Sequence, residues 1–182
     1  MVKKRIKFIL VAFLTMISLF FARVGKCGLE GGNTSADHVT VERVNDGDTI
    51  TARLNSRQEK IRMIGMDAPE MGQEPWGRMA KDHLGAMIAA SSWKVGLEYD
   101  VLKRDKYGRL LAYVWTQNGK MANAEMLRDG YAVLFTFPPN VKYVEVLRAA
   151  QKRARVEKLV IWGEDGLRQM PVDYRREHPR IN

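Results

Sequence analysis

Three short segments of the chain carry residue types that could do chemistry on a phosphate group. The first is Asp46-Gly47-Asp48-Thr49, in which two carboxylates flank a glycine. The second runs from Arg62 to Glu70 and contains an arginine, an aspartate and a glutamate. The third, Asp105-Lys106-Tyr107-Gly108-Arg109, presents cationic and hydrogen-bonding groups. Taken singly, each segment also has a structural explanation, since such residues form turns, end strands and cap helices.

Together the three segments make a coherent chemical set. Carboxylates combined with a backbone carbonyl suit a hard, oxygen-preferring cation such as calcium. Two arginines can bind a phosphate through paired hydrogen bonds and stabilise the charge that develops during attack on it. A glutamate beside the metal can orient or deprotonate a water molecule. These are the components that metal-assisted hydrolysis of a phosphodiester requires.

The residues around the three segments predict short strands with interspersed helices, and therefore a small α+β or barrel domain. Strand-forming residues predict strands within Val39–Leu54 on either side of the Asp-Gly turn, and over Lys60–Met66, Leu97–Leu102, Leu111–Thr116 and Tyr131–Phe137. The patterns predict helices over Pro75–Ala90, Ala122–Asp129 and about Tyr143–Leu159. The polar segment after Trp162 predicts irregular chain.

The order and content of these motifs resemble the staphylococcal nuclease, or thermonuclease, family. The resemblance extends over about Val39–Trp162. It is carried by the segments Val44–Thr49, Ile61–Glu70, Asp105–Tyr113 and Glu157–Trp162. The family fold is an OB barrel of five strands with three helices, so we expect an α+β, mainly β architecture over residues 39–163.

The resemblance implies a calcium-dependent nuclease that hydrolyses DNA and RNA with little sequence specificity and leaves 3′-phosphate ends. It implies that the carboxylates of Asp48 and Asp67 and the carbonyl of Ala68 bind Ca²⁺. Glu70 would be the general base. The two residues that would hold the scissile phosphate, and so belong to the catalytic set, are Arg62 and Arg109.

The resemblance also implies a substrate-binding set outside these catalytic residues. Lys106 and Tyr107 would contact a neighbouring phosphate. Phe135 and Phe137 stand where the best-known members place two tyrosines beside the bound base, so they keep a stacking face but lose the hydroxyl. We expect DNA and RNA as partners, with single strands favoured, and a monomeric protein.

A non-catalytic OB module that binds single strands is the alternative function. Degenerate members of the family bind single strands without cleaving them, but they typically lack the carboxylates or the arginines. In this chain all five of those residues are present, which favours the enzyme: Asp48, Arg62, Asp67, Glu70 and Arg109.

The N-terminal segment predicts export. A basic cluster at residues 3–7 precedes an apolar run from Phe8 to Ala22, the pattern of a secretory signal. The run is a little shorter than the roughly 20 apolar residues that span a membrane, so residues 1–27 are a cleaved signal or an uncleaved anchor. We expect a linker over residues 28–38 and a polar tail over residues 164–182. The single cysteine, Cys27, excludes an internal disulfide in the folded part.

Net charge alone does not identify the substrate. The formal charge is +9, but six basic residues precede the first acid, Glu30, so the remainder carries only +3. That charge is compatible with a polyanionic substrate without demonstrating one.

Overall fold

The computed structural model describes residues 37–179. The predicted signal or anchor segment, Cys27 and nearly all of the predicted linker lie outside these residues. In the described part of the chain, no helix has the length and apolar character needed to cross a membrane. The strands are β1 (Asp37–Val44), β2 (Thr49–Leu54), β3 (Arg57–Met63), β4 (Gly65–Asp67), β5 (Lys94–Glu98), β6 (Leu110–Thr116) and β7 (Val133–Phe135). The helices are α1 (Trp76–Ala90), α2 (Ala122–Arg128), α3 (Val144–Val156) and α4 (Pro171–Glu177), with a 3₁₀ turn at Val160–Trp162.

Five strands form a closed barrel in the order β1-β2-β3-β6-β5. Neighbouring strands are antiparallel except β3 and β6, which are parallel. In β1 the apolar residues Val39 and Val41 are buried while their neighbours are exposed, because successive side chains of a strand point to opposite faces. The predicted α+β, mainly β class with a five-stranded barrel is confirmed.

Two of the helices bury small apolar faces. In α1 the buried residues Ala80, Leu84 and Ile88 recur every four positions, which places them on one side of the helix. In α3 the buried residues are Leu147 and Ala154. The arginines and lysines of α3 lie on its solvent side, as expected for an amphipathic surface helix.

The strand predicted over Lys60–Met66 is in fact two strands. β3 ends at Met63, and β4 begins at Gly65, where φ is +80°, a backbone conformation that glycine adopts without steric cost. The bend takes the chain out of the barrel and into a separate two-stranded sheet, in which β4 pairs antiparallel with β7. Asp67 ends β4, so this bend decides where its carboxylate lies.

A buried asparagine stabilises the bend. Asn123, on α2, is 0% exposed. Its Nδ2 donates to the Ile64 carbonyl at 2.9 Å, and its Oδ1 accepts the Val114 N–H at 2.8 Å. Asn123 therefore satisfies the Ile64 carbonyl at the break in the strand and a backbone N–H of the neighbouring strand β6.

Two further element predictions are wrong. β5 begins at Lys94 and ends at Glu98, so it does not run over Leu97–Leu102. At Leu102 the backbone N–H and C=O bond to the side chain of Asn140, at 2.8 Å each, instead of to a strand. The tail is also not irregular throughout, because α4 lies within it; the described residues thus contain four helices where three were expected.

Candidate active site

The first motif forms the turn between β1 and β2 and presents Asp48 inward. The backbone N–H of Asp48 donates to Asp46 Oδ1 at 3.1 Å, a local bond that shapes the turn. Asp48 is 7% exposed, and its two carboxylate oxygens have different partners. Oδ1 accepts the hydroxyl of Thr49 at 3.0 Å, and Oδ2 accepts the backbone N–H of Ala68 at 2.9 Å. The first motif and the second are therefore in direct contact.

Arg62 lies between the two predicted calcium-binding carboxylates. Its Nη2 donates to Asp67 Oδ1 at 2.7 Å, and its Nη1 forms an ion pair with Asp48 Oδ2. Arg62 therefore joins the two carboxylates through both ends of its buried guanidinium. Burial lowers the pKa of Arg62, and the attraction of Asp67 and Asp46 opposes this shift. A guanidinium group at this position can also donate hydrogen bonds to phosphate oxygens.

Asp67 also pairs with a residue that lies outside all three motifs. Arg175, on α4, donates from Nη2 to Asp67 Oδ2 at 2.8 Å and from Nη1 to Asp67 Oδ1 at 3.0 Å. The same Nη1 donates to Glu70 Oε1 at 2.8 Å. Burial by itself lowers the pKa of Arg175, but its hydrogen bonds to the two carboxylates raise that pKa above its ordinary value. The tail thus contributes a charged group to the predicted site.

No signal in the sequence placed Arg175 at the site. Pro171 followed by helix-compatible residues could have predicted α4, because proline is favoured in the first turn of a helix. Nothing in that pattern says where a short helix in a tail will dock.

The segment that carries Glu70 is fixed from both sides. Its backbone N–H donates to Gln73 Oε1 at 2.9 Å, and its carbonyl accepts the N–H of Gln73 at 2.8 Å. On its other side the backbone of Glu70 contacts helix α1 at Gly77, where a Cβ atom would lie only 2.1 Å from the Glu70 carbonyl oxygen. The lack of a side chain at Gly77 is what allows this close approach.

The third motif is a tight turn that Asp105 organises. Asp105 Oδ1 accepts the backbone N–H groups of Tyr107 at 2.9 Å and Arg109 at 3.0 Å. Its Oδ2 accepts Arg109 Nε at 2.7 Å, so the aspartate orients that guanidinium. The parallel pairing of β3 with β6 sets Arg62 opposite Leu111, two residues after Arg109. The charge of Arg109 also contributes to lowering the pKa of Arg62.

The predicted substrate-binding residues are on the surface. Tyr107 is 71% exposed, with Lys106 Nζ 5.1 Å from the centre of its ring. Phe135 and Phe137 are also exposed, at 38% and 61%. Phe135 is paired with Gly65 across the β4–β7 sheet, two positions from Asp67. Large exposed aromatic faces of this kind suit stacking on unpaired bases.

A basic cleft of about 370 Å³ lies beside Arg109. Its lining includes Arg43, Lys60, Lys81 and a single acid, Asp46. Within the described residues, neither Lys60 nor Lys81 has an ion-pair partner. Unpaired cations in a concave surface favour the binding of a polyanion.

The oxygen donors at the centre of the site fit a calcium ion better than a soft metal. Across residues 37–179 there is no group of three or more His, Cys, Asp or Glu side chains arranged to hold a metal. The expected set is smaller, with two carboxylates and one carbonyl, and it consists entirely of oxygens, the class that calcium prefers. Asp67 is already paired with two guanidinium groups, those of Arg62 and Arg175.

Comparison with known proteins identifies the family of the chain. A family model described as "Staphylococcal nuclease homologue" matches residues 60–164. A thermonuclease from Staphylococcus hyicus is 37% identical over 161 residues, which cover 85% of this chain and 94% of that protein. For a thermonuclease from Staphylococcus intermedius the identity is 34% over 157 residues, covering 84% and 92%. Endonuclease YncB of Bacillus subtilis is 36% identical over 136 residues, covering 71% and 63%. This chain belongs to the staphylococcal nuclease family.

Proposed function

We propose that the protein is a calcium-dependent nuclease that hydrolyses phosphodiester bonds of DNA and RNA with little sequence specificity, leaving 3′-phosphate ends. The observation that carries the proposal is the convergence of three carboxylates on Arg62 and Arg175. Asp48, Asp67 and Glu70 come from two sequence motifs, and hydrogen bonds and ion pairs join them into one cluster. Membership of the nuclease family and the names of the relatives support the same activity.

The residues that would hold the calcium ion are Asp48, Asp67 and the carbonyl of Ala68. Asp48 and Ala68 are already joined by a hydrogen bond, and Asp67 is the residue before Ala68. When bound, calcium would supply positive charge that offsets the growing charge on the phosphate.

Arg62 and Arg109 would bind the scissile phosphate. Asp48 and Asp67 hold the guanidinium of Arg62, and Asp105 holds the guanidinium of Arg109 in one orientation. Planar guanidinium groups can donate two parallel hydrogen bonds to phosphate oxygens, which stabilises charge in the transition state.

Glu70 would accept a proton from the attacking water molecule. Its backbone is fixed by Gln73 and by contact with Gly77, so its side chain starts from a well-defined position. Breaking the bond from phosphorus to the 5′ oxygen of the next nucleotide then leaves the phosphate on the 3′ side.

The substrate strand would extend from this centre over Lys106, Tyr107, Phe135 and Phe137. Their exposure favours single strands, because bases must be unpaired to stack on an aromatic face. Stacking of this kind contributes about 1–3 kcal/mol per base. We further propose that the chain is a monomer that is exported by its N-terminal segment and is either released or anchored by it.

The experiment is digestion of labelled single-stranded DNA by the wild-type chain and by Glu70→Gln. We expect cleavage with calcium, none with excess chelator, and product ends that a 3′-phosphatase can trim. The glutamine variant should bind calcium and a nucleotide nearly as well but cleave about 10²- to 10⁴-fold more slowly, because it cannot accept the proton.

Glu74→Gln is the matched control, since Glu74 is an exposed glutamate in the same segment. Its cleavage rate should stay close to wild type. Undiminished cleavage in chelator would remove the metal from the proposal. If the wild type bound single strands but never shortened them, the non-catalytic OB binding module would be the correct function.

A further inference from the structure

The guanidinium of Arg175 covers the carboxylates that the proposed mechanism needs. It spans both oxygens of Asp67 and reaches Glu70, at 2.8 to 3.0 Å. Asp67 is fully buried, with Arg62 on one oxygen and Arg175 on both. A fork of two parallel N–H groups on a carboxylate is the strongest geometry available to an arginine. Arg175 is thus a specific partner of the site.

Independent contacts hold α4 in this place. Gln73 is 7% exposed and donates from Nε2 to the Gln169 carbonyl at 2.9 Å, while its Oε1 accepts the backbone N–H of Glu70. Tyr174 packs on Gly72, where a Cβ atom would come within 2.3 Å of the tyrosine hydroxyl oxygen. The loop that presents Glu70 therefore also anchors the segment that carries Arg175.

A calcium ion and the Arg175 guanidinium would both need the carboxylate of Asp67. A calcium ion bound by Asp67 requires carboxylate oxygens on which the guanidinium now donates, and both groups are cationic. We propose that Arg175 is an internal competitor for the calcium site: docked α4 holds Asp67 and Glu70 in the calcium-free protein, and calcium binding displaces its guanidinium. The inference rests on the proposed calcium site and adds to it a restraint on calcium affinity.

A calcium ion can displace the Arg175 guanidinium from the carboxylates. α4 has only seven residues, and the Arg175 side chain is 36% exposed, so water can take over its hydrogen bonds when it leaves. The apparent affinity of a ligand is its intrinsic affinity multiplied by the fraction of the protein that is in the binding-competent state. If Arg175 occupied the carboxylates nine-tenths of the time, calcium would bind about ten-fold more weakly than to the open site.

Calorimetric titration of the full chain with calcium tests the proposal, using Arg175→Ala, Tyr174→Ala and the control Arg176→Ala. Arg176 is the next residue on α4, and among residues 37–179 its ion-pair partner is Asp173, one turn away on the same helix. We expect Arg175→Ala to bind calcium about five-fold or more tightly than wild type, the lower end of typical coupling between sites. Tyr174→Ala should shift the same way by less, since it loosens α4 but keeps the guanidinium. Arg176→Ala should match wild type.

Thermal unfolding with and without calcium supplies a second readout. Calcium should raise the melting temperature of Arg175→Ala more than that of wild type, since stabilisation grows with affinity. A merely structural role would lower both melting temperatures equally and leave the shift unchanged. Equal or weaker calcium binding by both Arg175→Ala and Tyr174→Ala would overturn the competition alone. Absence of calcium binding in every variant, wild type included, would overturn the calcium site and the competition with it.

Discussion

Asp48 Oδ2 accepts the backbone N–H of Ala68 at 2.9 Å, a bond between residues 20 positions apart in the chain. It joins the turn after β1 to the end of β4, and so brings the predicted calcium ligands of two motifs together. The relationship depends on two features of the fold, the closure of the barrel and the bend at Gly65.

Replacing Asp48 by asparagine should weaken calcium binding. The amide retains an oxygen that can accept the Ala68 N–H, so the turn should persist while the ligand charge is lost. We expect calcium affinity to fall by at least the roughly 10- to 100-fold that loss of a ligand's hydrogen-bonding partner typically costs, measured by calorimetric titration. Asp82→Asn is the control, because Asp82 is exposed on α1 and should leave affinity unchanged. Wild-type affinity in Asp48→Asn would contradict the ligand assignment.

Replacing Arg109 by lysine should lower turnover more than it alters calcium affinity. Lysine keeps the charge but loses the planar fork, and it cannot reproduce the Nε bond to Asp105. We expect kcat to fall by about 10²-fold, as for loss of one donor to a transition state. The control is Arg53→Lys, at an exposed arginine paired with Glu42. Near wild-type kcat in Arg109→Lys would mean that two arginines are not required.

Replacing Gly77 by alanine should displace Glu70. The added Cβ would lie 2.1 Å from the Glu70 carbonyl oxygen and 2.7 Å from its carbonyl carbon, so that backbone must move. We expect a lower cleavage rate and a lower melting temperature. Gly85→Ala is a matched control on the same helix, since apart from the adjacent helix backbone no atom of the described residues lies within 4 Å of its added Cβ. That variant should gain about 0.5–1 kcal/mol of stability with unchanged cleavage. Equal behaviour of the two variants would refute the close-approach argument.

Replacing Asn123 by alanine should destabilise the bend that leads to Asp67. The change leaves the buried N–H of Val114 without its side-chain acceptor and the Ile64 carbonyl without its donor. We expect a loss of about 1–3 kcal/mol in the free energy of unfolding, measured with urea, together with weaker calcium binding. Asn118→Ala, at an exposed asparagine, should change neither by a comparable amount. A stable variant with weakened calcium binding would show that Asn123 acts only on the site.

The export proposal predicts where the chain is found and where it begins. Mass spectrometry of the mature protein should show a start near Gly28 if the segment is cleaved, or an intact Met1 end in the membrane fraction if it is an anchor. Full-length protein in the soluble cytosolic fraction would refute export.

Much of the architecture follows from local sequence patterns. Alternation of apolar and polar residues predicts β1, and the four-residue spacing of apolar residues predicts the buried side of α1. The candidate site residues could also be found in the sequence. Asp, Glu and Arg side chains in turns at strand ends serve either to shape the turn or to take part in chemistry, so the three motifs that contain them were the places to look. Patterns of this kind are local, so they carry information about single elements and not about which elements meet.

Contacts between distant parts of the chain could only come from the tertiary structure. The break at Gly65 depends on Asn123 from a later helix, and the position of Glu70 depends on a missing side chain at Gly77. Arg175 is the clearest case, since it pairs with Asp67 across 108 positions from a tail that was expected to be irregular. The family, the barrel and the reactive residue types could all be predicted from the order of residues in the chain. Which charges share one cluster could not, because ion pairing depends on distance in space, and local periodicity does not encode that distance.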